Sequence, residues 1–173
     1  MKTKIFAFLA TVAFGGASGA LAVQPANSTS PVTVEFLEPE NYTDFRTSEF
    51  GGNREQAGLE HELRREIQRI AVRHLPPGYH LNLRFRDIDM AGEFEPWHGP
   101  RFSDVRIVRE IYPPRMDVEY SITNDAGEVV ASGTRKLSDI NYLWRLRMRT
   151  DDQFSYENEL LNDFIRDISR SVS

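Results

Sequence analysis

From Val32 onward the apolar positions switch between a period of two and a period near 3.6, and the changeovers mark the elements of the fold. Val32, Val34 and Phe36 alternate with Thr33 and Glu35, which predicts a half-buried strand over Val32 to Leu37. A loop follows, through Pro39 and Gly51-Gly52. Leu59, Leu63, Ile67, Ile70, Ala71 and His74 then recur at helical spacing, with Glu60, Glu62, Arg64, Arg65 and Glu66 between them and Asn53 as the expected cap. Pro76-Pro77-Gly78 ends that helix.

In the next strand Leu81, Leu83 and Phe85 alternate with Asn82, Arg84 and Arg86, and at Ile88 and Met90 the apolar positions change parity. A bulge or strand end near Asp87 accounts for the change. Three further strands are expected: Val105, Ile107, Arg109 and Ile111; Met116, Val118, Tyr120 and Ile122; and Val129 with Ala131. Pro113-Pro114 separates the first two and the turn Asn124-Asp-Ala-Gly127 the last two, so the three read as an antiparallel meander. Tyr156, Leu160, Leu161, Phe164, Ile165 and Ile168 form one face of a closing helix, with acids early and Arg166 and Arg170 late, as the helix dipole favours. The sum is an α+β domain over residues 32–171: a predominantly antiparallel sheet of about five strands packed against two main helices.

The residues ahead of the domain read as an address. Lys2 and Lys4 precede the apolar run Ile5 to Phe14, and Ala20-Leu21-Ala22 has small residues where a signal peptidase needs them. Residues 1–22 are therefore expected to be a cleaved secretory signal, and 23–31, rich in Ser, Thr, Asn and Pro, a disordered lead-in. The alternative, a retained membrane anchor, has a run broken by Gly15, Gly16, Ser18 and Gly19, short of the roughly 20 apolar residues that span a bilayer. The chain has no cysteine, so neither lipoprotein acylation nor a disulfide is available to it. A periplasmic or secreted protein without a transmembrane segment is expected after cleavage.

Charge narrows the partners. The chain carries 21 Lys and Arg against 26 Asp and Glu, and loss of Lys2 and Lys4 takes the balance from -5 to -7. Nucleic-acid binding is not expected of so acidic a domain.

Five segments carry a family resemblance: Tyr42-Thr-Asp-Phe45, Phe85-Arg-Asp-Ile-Asp-Met-Ala-Gly92, Val118-Glu-Tyr-Ser-Ile-Thr-Asn-Asp-Ala-Gly127, Leu137-Ser-Asp-Ile-Asn-Tyr142 and Tyr156-Glu-Asn-Glu-Leu-Leu161. Together they resemble the bacterial domain-of-unknown-function 3016 family, from about Val32 to Ile168. The resemblance implies a small exported bacterial domain and brings no catalytic or binding residue with it.

Candidate chemistry must then come from local constellations. In the stretch Asp87 to His98, Asp87, Asp89, Gly92, Glu93 and Glu95 occupy the first, third, sixth, seventh and ninth positions of a calcium loop. Ala91 at the fifth position and His98 at the twelfth break the pattern, so no metal is expected and solvated acids at a strand end are the plainer reading. Glu93 and Glu95, two apart on an extended chain, project to one side roughly 6.5–7 Å from each other, a spacing open to glycoside hydrolysis but also to an ordinary acidic loop. None of the histidines makes a close metal-ligand pair, and neither a nucleophile elbow nor a phosphate loop occurs. His74, on the apolar face of its helix, reads as a packed or capping residue.

Trp144-Arg-Leu-Arg-Met-Arg149 alternates apolar residues with Arg145, Arg147 and Arg149, so an extended form would show a basic face to lipid phosphates or acidic glycans. Its plainer reading pairs those arginines with Asp151, Asp152 and other acids. Trp97, between Pro96 and His98, is either a recognition tip or the anchor of its loop. The leading expectation is a noncatalytic envelope domain that binds a protein or envelope component and needs no cofactor. The alternatives are a hydrolase of an envelope polymer and a binder of anionic lipid or glycan.

Overall fold

A computed structural model describes residues 30–48, 51–99, 104–145 and 153–172. The signal segment and all but the last two residues of the lead-in lie outside them. Strand β1 (Val32–Phe36) leads through helix α1 (Asn53–His74) into β2 (Tyr79–Asp89), which pairs with β1 in parallel. Parallel neighbours need such a crossover, and the amphipathic helix supplies it. Strands β5 (Arg115–Asn124) and β6 (Val129–Ser138) add antiparallel, giving the order β1-β2-β5-β6. Between β2 and β5 the chain makes a separate two-stranded ribbon from β3 (Glu93–Phe94) and β4 (Arg106–Ile107). A single helical turn, α2 (Tyr142–Arg145), and the closing helix α3 (Ser155–Arg170) complete the domain.

Both long helices cover one face of the sheet. Leu63, Ile67 and Ile70 from α1 and Leu161 and Ile165 from α3 meet Leu81, Leu83, Phe85, Val118 and Ile122, all fully buried. His74 Nε2 joins the helices through Asn162 Oδ1 at 2.8 Å, the packed role expected of it. The opposite face is a ladder of exposed ion pairs, Glu35 to Arg84, Arg84 to Glu119 and Glu119 to Arg86. Pairs so open to water add little stability.

The parity change in β2 is a bulge: the register with β5 shifts between Phe85 and Asp87. The extra residue, Arg86, returns Ile88 to the core and leaves Asp87 outward. The Asn124–Gly127 turn also forms as expected, with Asn124 Oδ1 accepting from the N–H of Ala126 and Glu128 and Gly127 at positive φ. On β6, Gly133 leaves room for the Tyr120 ring, since a Cβ there would stand 3.2 Å from Tyr120 Cε1. Tyr120 in turn meets Phe164 of α3 edge-on at 5.7 Å.

Two sequence expectations are corrected. Of the strand expected over Val105 to Ile111 only Arg106 and Ile107 pair, and they pair with β3, so the meander is β2, β5 and β6. The flank of β2 is already taken by β5, and Val105 and Ile111 point to solvent despite their alternation. Asn53 is the first helical residue rather than the cap; Gly52 holds the cap position without a side-chain bond.

The start of α1 is instead secured by Glu55 in its first turn. Its carboxylate accepts from the N–H and hydroxyl groups of both Thr47 and Ser48. These donors, the Thr47 hydroxyl first, outweigh the cost of burial and hold Glu55 below the ordinary value of 4.5. A depressed acid stabilises the fold fully above its unfolded value, and that contribution fades as pH falls through the folded one. Glu55→Gln is therefore expected to lower stability at neutral pH and to flatten its decline in acid. Unfolding curves from about pH 7 to about pH 2 test this, and parallel profiles for the two proteins would rule it out.

Candidate functional site

The chain between β2 and β5 forms an arm, and buried polar groups fix its described parts. At its base the N–H of Ala91 donates to Glu157 Oε1 at 2.8 Å, from a carboxylate only 1% exposed in the first turn of α3. Gly92 follows at positive φ, where its N–H donates to Tyr112 O and a Cβ would lie 2.9 Å from Ile107 O. Only glycine fits so close an approach in that conformation.

The second anchor is an ion pair under the ribbon. Asp44, 4% exposed, lies in the β1–α1 loop, held there because its N–H donates to Ile88 O and its carbonyl accepts from Met90 N–H. Arg106 of β4 grips it with both ends of its guanidinium, Nη1 to Oδ2 at 2.7 Å and Nη2 to Oδ1 at 3.0 Å. The same two nitrogens donate to Gly92 O and Arg46 O. Phe94 lies beneath, with the Arg106 guanidinium 4.6 Å and that of Arg46 5.4 Å from its ring centre. One arginine thus ties loop, ribbon and arm base together.

A third anchor draws in the turn before β5. Glu95, 1% exposed, accepts from the Tyr112 hydroxyl at 3.0 Å and pairs with Arg109 at 2.8 Å. The bond to Glu95 raises the Tyr112 hydroxyl above its ordinary value. Arg109 O then accepts from the Tyr142 hydroxyl at 2.7 Å, and Tyr142 packs edge-on against Tyr156 of α3 at 4.8 Å. Burial pushes Tyr142 up to about 12, so it stays a neutral donor.

The residues flanking these anchors face water. Trp97 is two residues beyond Glu95 and 69% exposed; Val108 and Ile111 bracket Arg109; Ile140 and Trp144, at 72% and 78%, bracket Tyr142. Glu95, Arg109 and Tyr142 therefore tie to one another the three segments that carry these exposed side chains. Beside Asp44 an open groove of about 300 Å³ is lined by Tyr42, Arg46, Gly52, Glu55 and Gln56 among others. Two of its acids, Asp44 and Glu55, are engaged by the partners already named.

The family described as protein of unknown function (DUF3016) matches residues 30–167. The chain belongs to the DUF3016 family. Neither the curated proteins nor the solved structures searched hold a match to it.

The DUF3016 match runs from the start of β1 almost to the end of α3, so the arm and its anchors lie inside it. The candidate acids do not converge there. Asp87 takes the Thr43 N–H at 2.7 Å and hydroxyl at 2.8 Å, and Asp89 pairs with Arg115 at 3.0 Å, with burial raising its carboxyl against the pull of that arginine. Glu93 turns back to the N–H of Phe94, while Glu95 faces Arg109 and Tyr112. The His98 side chain, Arg147, Arg149, Asp151 and Asp152 lie outside what is described. Among the described residues no group of three or more His, Asp or Glu is placed to hold a metal.

Trp144 and Arg145 correct a further expectation, because they sit in the helical turn α2 and not in an extended strand. Asp163 first and Asp139 second pair with Arg145 and raise its guanidinium above the ordinary value. No local motif marks Asp44, Arg106, Tyr112, Tyr142 or Glu157 as anchors, and Arg109 enters only as a position of the expected strand. The segments carrying the resemblance do contain Asp44, Ala91, Gly92, Tyr142 and Glu157. That was the available signal.

Proposed function

We propose that this DUF3016 domain is exported to a periplasm or the surrounding medium and acts there as a noncatalytic binding domain for a protein or other envelope component. The observation that carries the reading is that Trp97, Ile111, Ile140 and Trp144 stand exposed on three segments that Glu95, Arg109 and Tyr142 bind to one another. Large apolar side chains kept exposed on a fixed support are what a contact surface needs. A hydrolase would need acids free to approach one bond, whereas Asp87, Asp89, Glu93 and Glu95 each have a separate structural partner. The address rests on Lys2, Lys4 and the apolar run to Ala22, and the lack of cysteine leaves no acyl anchor. No described helix is long and apolar enough to cross a membrane.

Cell fractionation with a photo-crosslinking residue at Trp97 or Trp144 tests both halves of the proposal. The expected result is a chain processed after Ala22, outside the cytoplasm, giving crosslinked adducts from those positions and none from Asn82 on the opposite sheet face. An intact chain retained in the cytoplasm would overturn the address. Adducts no more frequent than from Asn82 would overturn the surface.

A further inference from the structure

We propose that the chain forms a two-fold dimer by pairing β6 with the β6 of a second copy, antiparallel and centred on Thr134. This contact is separate from the exposed side chains around Glu95, so either can fail without the other.

The two edges of the sheet differ. β1 is five residues long, and Arg64 of α1 reaches over it to donate from Nε to Val34 O at 3.4 Å. β6 is ten residues long, has no proline, and among the described residues is hydrogen-bonded as a strand on one side alone, to β5. Its other side is a row of N–H and C=O groups that a further strand can complete.

The register fixes how. A bulge at Val130 interrupts the ladder, since Ile122 faces Ala131 and Thr123 faces Val129, so the regular stretch runs from Ala131 to Ser138. Side chains alternate between the faces, so a two-fold axis must pass by a single residue. Centred on Thr134, it sets Leu137 against Ala131, Arg135 against Gly133 and Lys136 against Ser132 of the other copy. Each large side chain then meets a small one. Centred on Arg135 or Lys136, like charges would stand directly opposite. Centred on Gly133, Leu137 and Lys136 would have to pair with Val129 and Val130 at the bulge.

Charge is the second argument. Gly133 pairs with Tyr120 of β5, whose ring meets Phe164 of α3. Between β6 and α3 lies an open groove of about 320 Å³, lined by Arg135, Leu137, Leu160, Asp163, Phe164 and Asp167 among others. Asp163 is held by Arg145 and Arg166, whereas Asp167 is exposed and in no ion pair among the described residues. Arg135 has no acid partner either; it lies over the Tyr120 ring at 5.7 Å and donates to Thr134 O. An Arg135 arriving opposite Gly133 enters the groove beside Phe164 and meets the unpaired Asp167. By symmetry the contact forms twice, and each four-stranded sheet continues into the other.

Sedimentation velocity of the purified protein from about 1 µM to about 100 µM should show monomer and dimer in exchange. Lys136 is the chain's only lysine beyond Lys4, and its two copies would stand about 14 Å apart along the strands, four steps of about 3.4 Å. A short amine crosslinker should therefore yield a peptide joining Lys136 to Lys136. Asp167→Arg, on the exposed side of α3, should weaken dimerisation about tenfold, and adding Arg135→Asp should restore it. Thr134→Pro removes the central N–H and should abolish the dimer. If circular dichroism shows that the proline disturbs the fold, Asp167→Arg and its reversal decide. A monomer at every concentration overturns the proposal, as does a dimer that Asp167→Arg leaves intact or one without the Lys136 link. A monomer that a photo-crosslinker at Trp97 still joins to another protein in cells overturns the dimer and leaves the binding-domain reading standing.

Discussion

Arg106→Ala is expected to lower the unfolding free energy by about 3–5 kcal/mol, the cost of leaving a buried charge without its partner. Asp44 is 4% exposed and Arg106 16%, so water reaches neither carboxylate nor guanidinium well enough to replace the bond. The alanine also removes the donors to Gly92 O and Arg46 O and the cation above Phe94. Arg46 remains, with Nε 3.2 Å from Asp44 Oδ1, but it is more exposed and makes one contact where Arg106 makes two. Arg106→Lys keeps the charge without the planar fork and should fall between wild type and alanine. Asp44→Ala should also be destabilising, and the double variant less so than the sum, because it leaves no orphaned charge. Urea unfolding of the set measures the coupling. A loss below about 1 kcal/mol in Arg106→Ala would mean that solvent substitutes for the arginine.

Periodicity made the layers of the fold legible and left the ribbon obscure, for one physical reason. Elements that bury a face against the core must repeat at 2 or 3.6, so Leu81 to Phe85, Leu59 to Ala71 and Leu160 to Ile168 declare themselves. Even the bulge at Arg86 is visible, because the core demanded that parity be restored at Ile88. The ribbon obeys no such demand. Val105, Ile107 and Ile111 alternate like a buried strand, yet the segment is positioned by Arg106 reaching back 62 residues to Asp44 and by Arg109 reaching 14 residues to Glu95. Ion pairs between such distant residues have no period, so pattern alone cannot announce them. Asp, Glu and Gly cluster between Asp87 and Glu95, which is why the sequence offers those acids as candidates for chemistry. Folding turns the acids into fasteners, while Trp97, named with them, faces outward.

Glu95 is where that fastening meets the segments with exposed apolar side chains, and Glu95→Ala is expected to cost about 2–3 kcal/mol, in the range for losing hydrogen bonds to a buried charged group. The larger consequence is local. Without the carboxylate the Tyr112 hydroxyl and the Arg109 guanidinium lose their common acceptor, and Arg109, already half exposed, turns to water. The turn from Arg109 to Tyr112 then loosens, and with it the bond from Tyr142 to Arg109 O that sets α2 in place. Hydrogen exchange should quicken over residues 107–112 and 140–145 while the β2–β5 ladder keeps its protection, since that ladder is closed by its own register and by the core. Glu95→Gln keeps an acceptor of the same shape for Tyr112 but lacks the charge that holds Arg109, so it should free the Arg109 side more than the Tyr112 side. Uniform acceleration across the whole sheet in Glu95→Ala would show that Glu95 supports the core at large. Acceleration confined to the two segments makes it the residue that positions the segments carrying Ile111, Ile140 and Trp144.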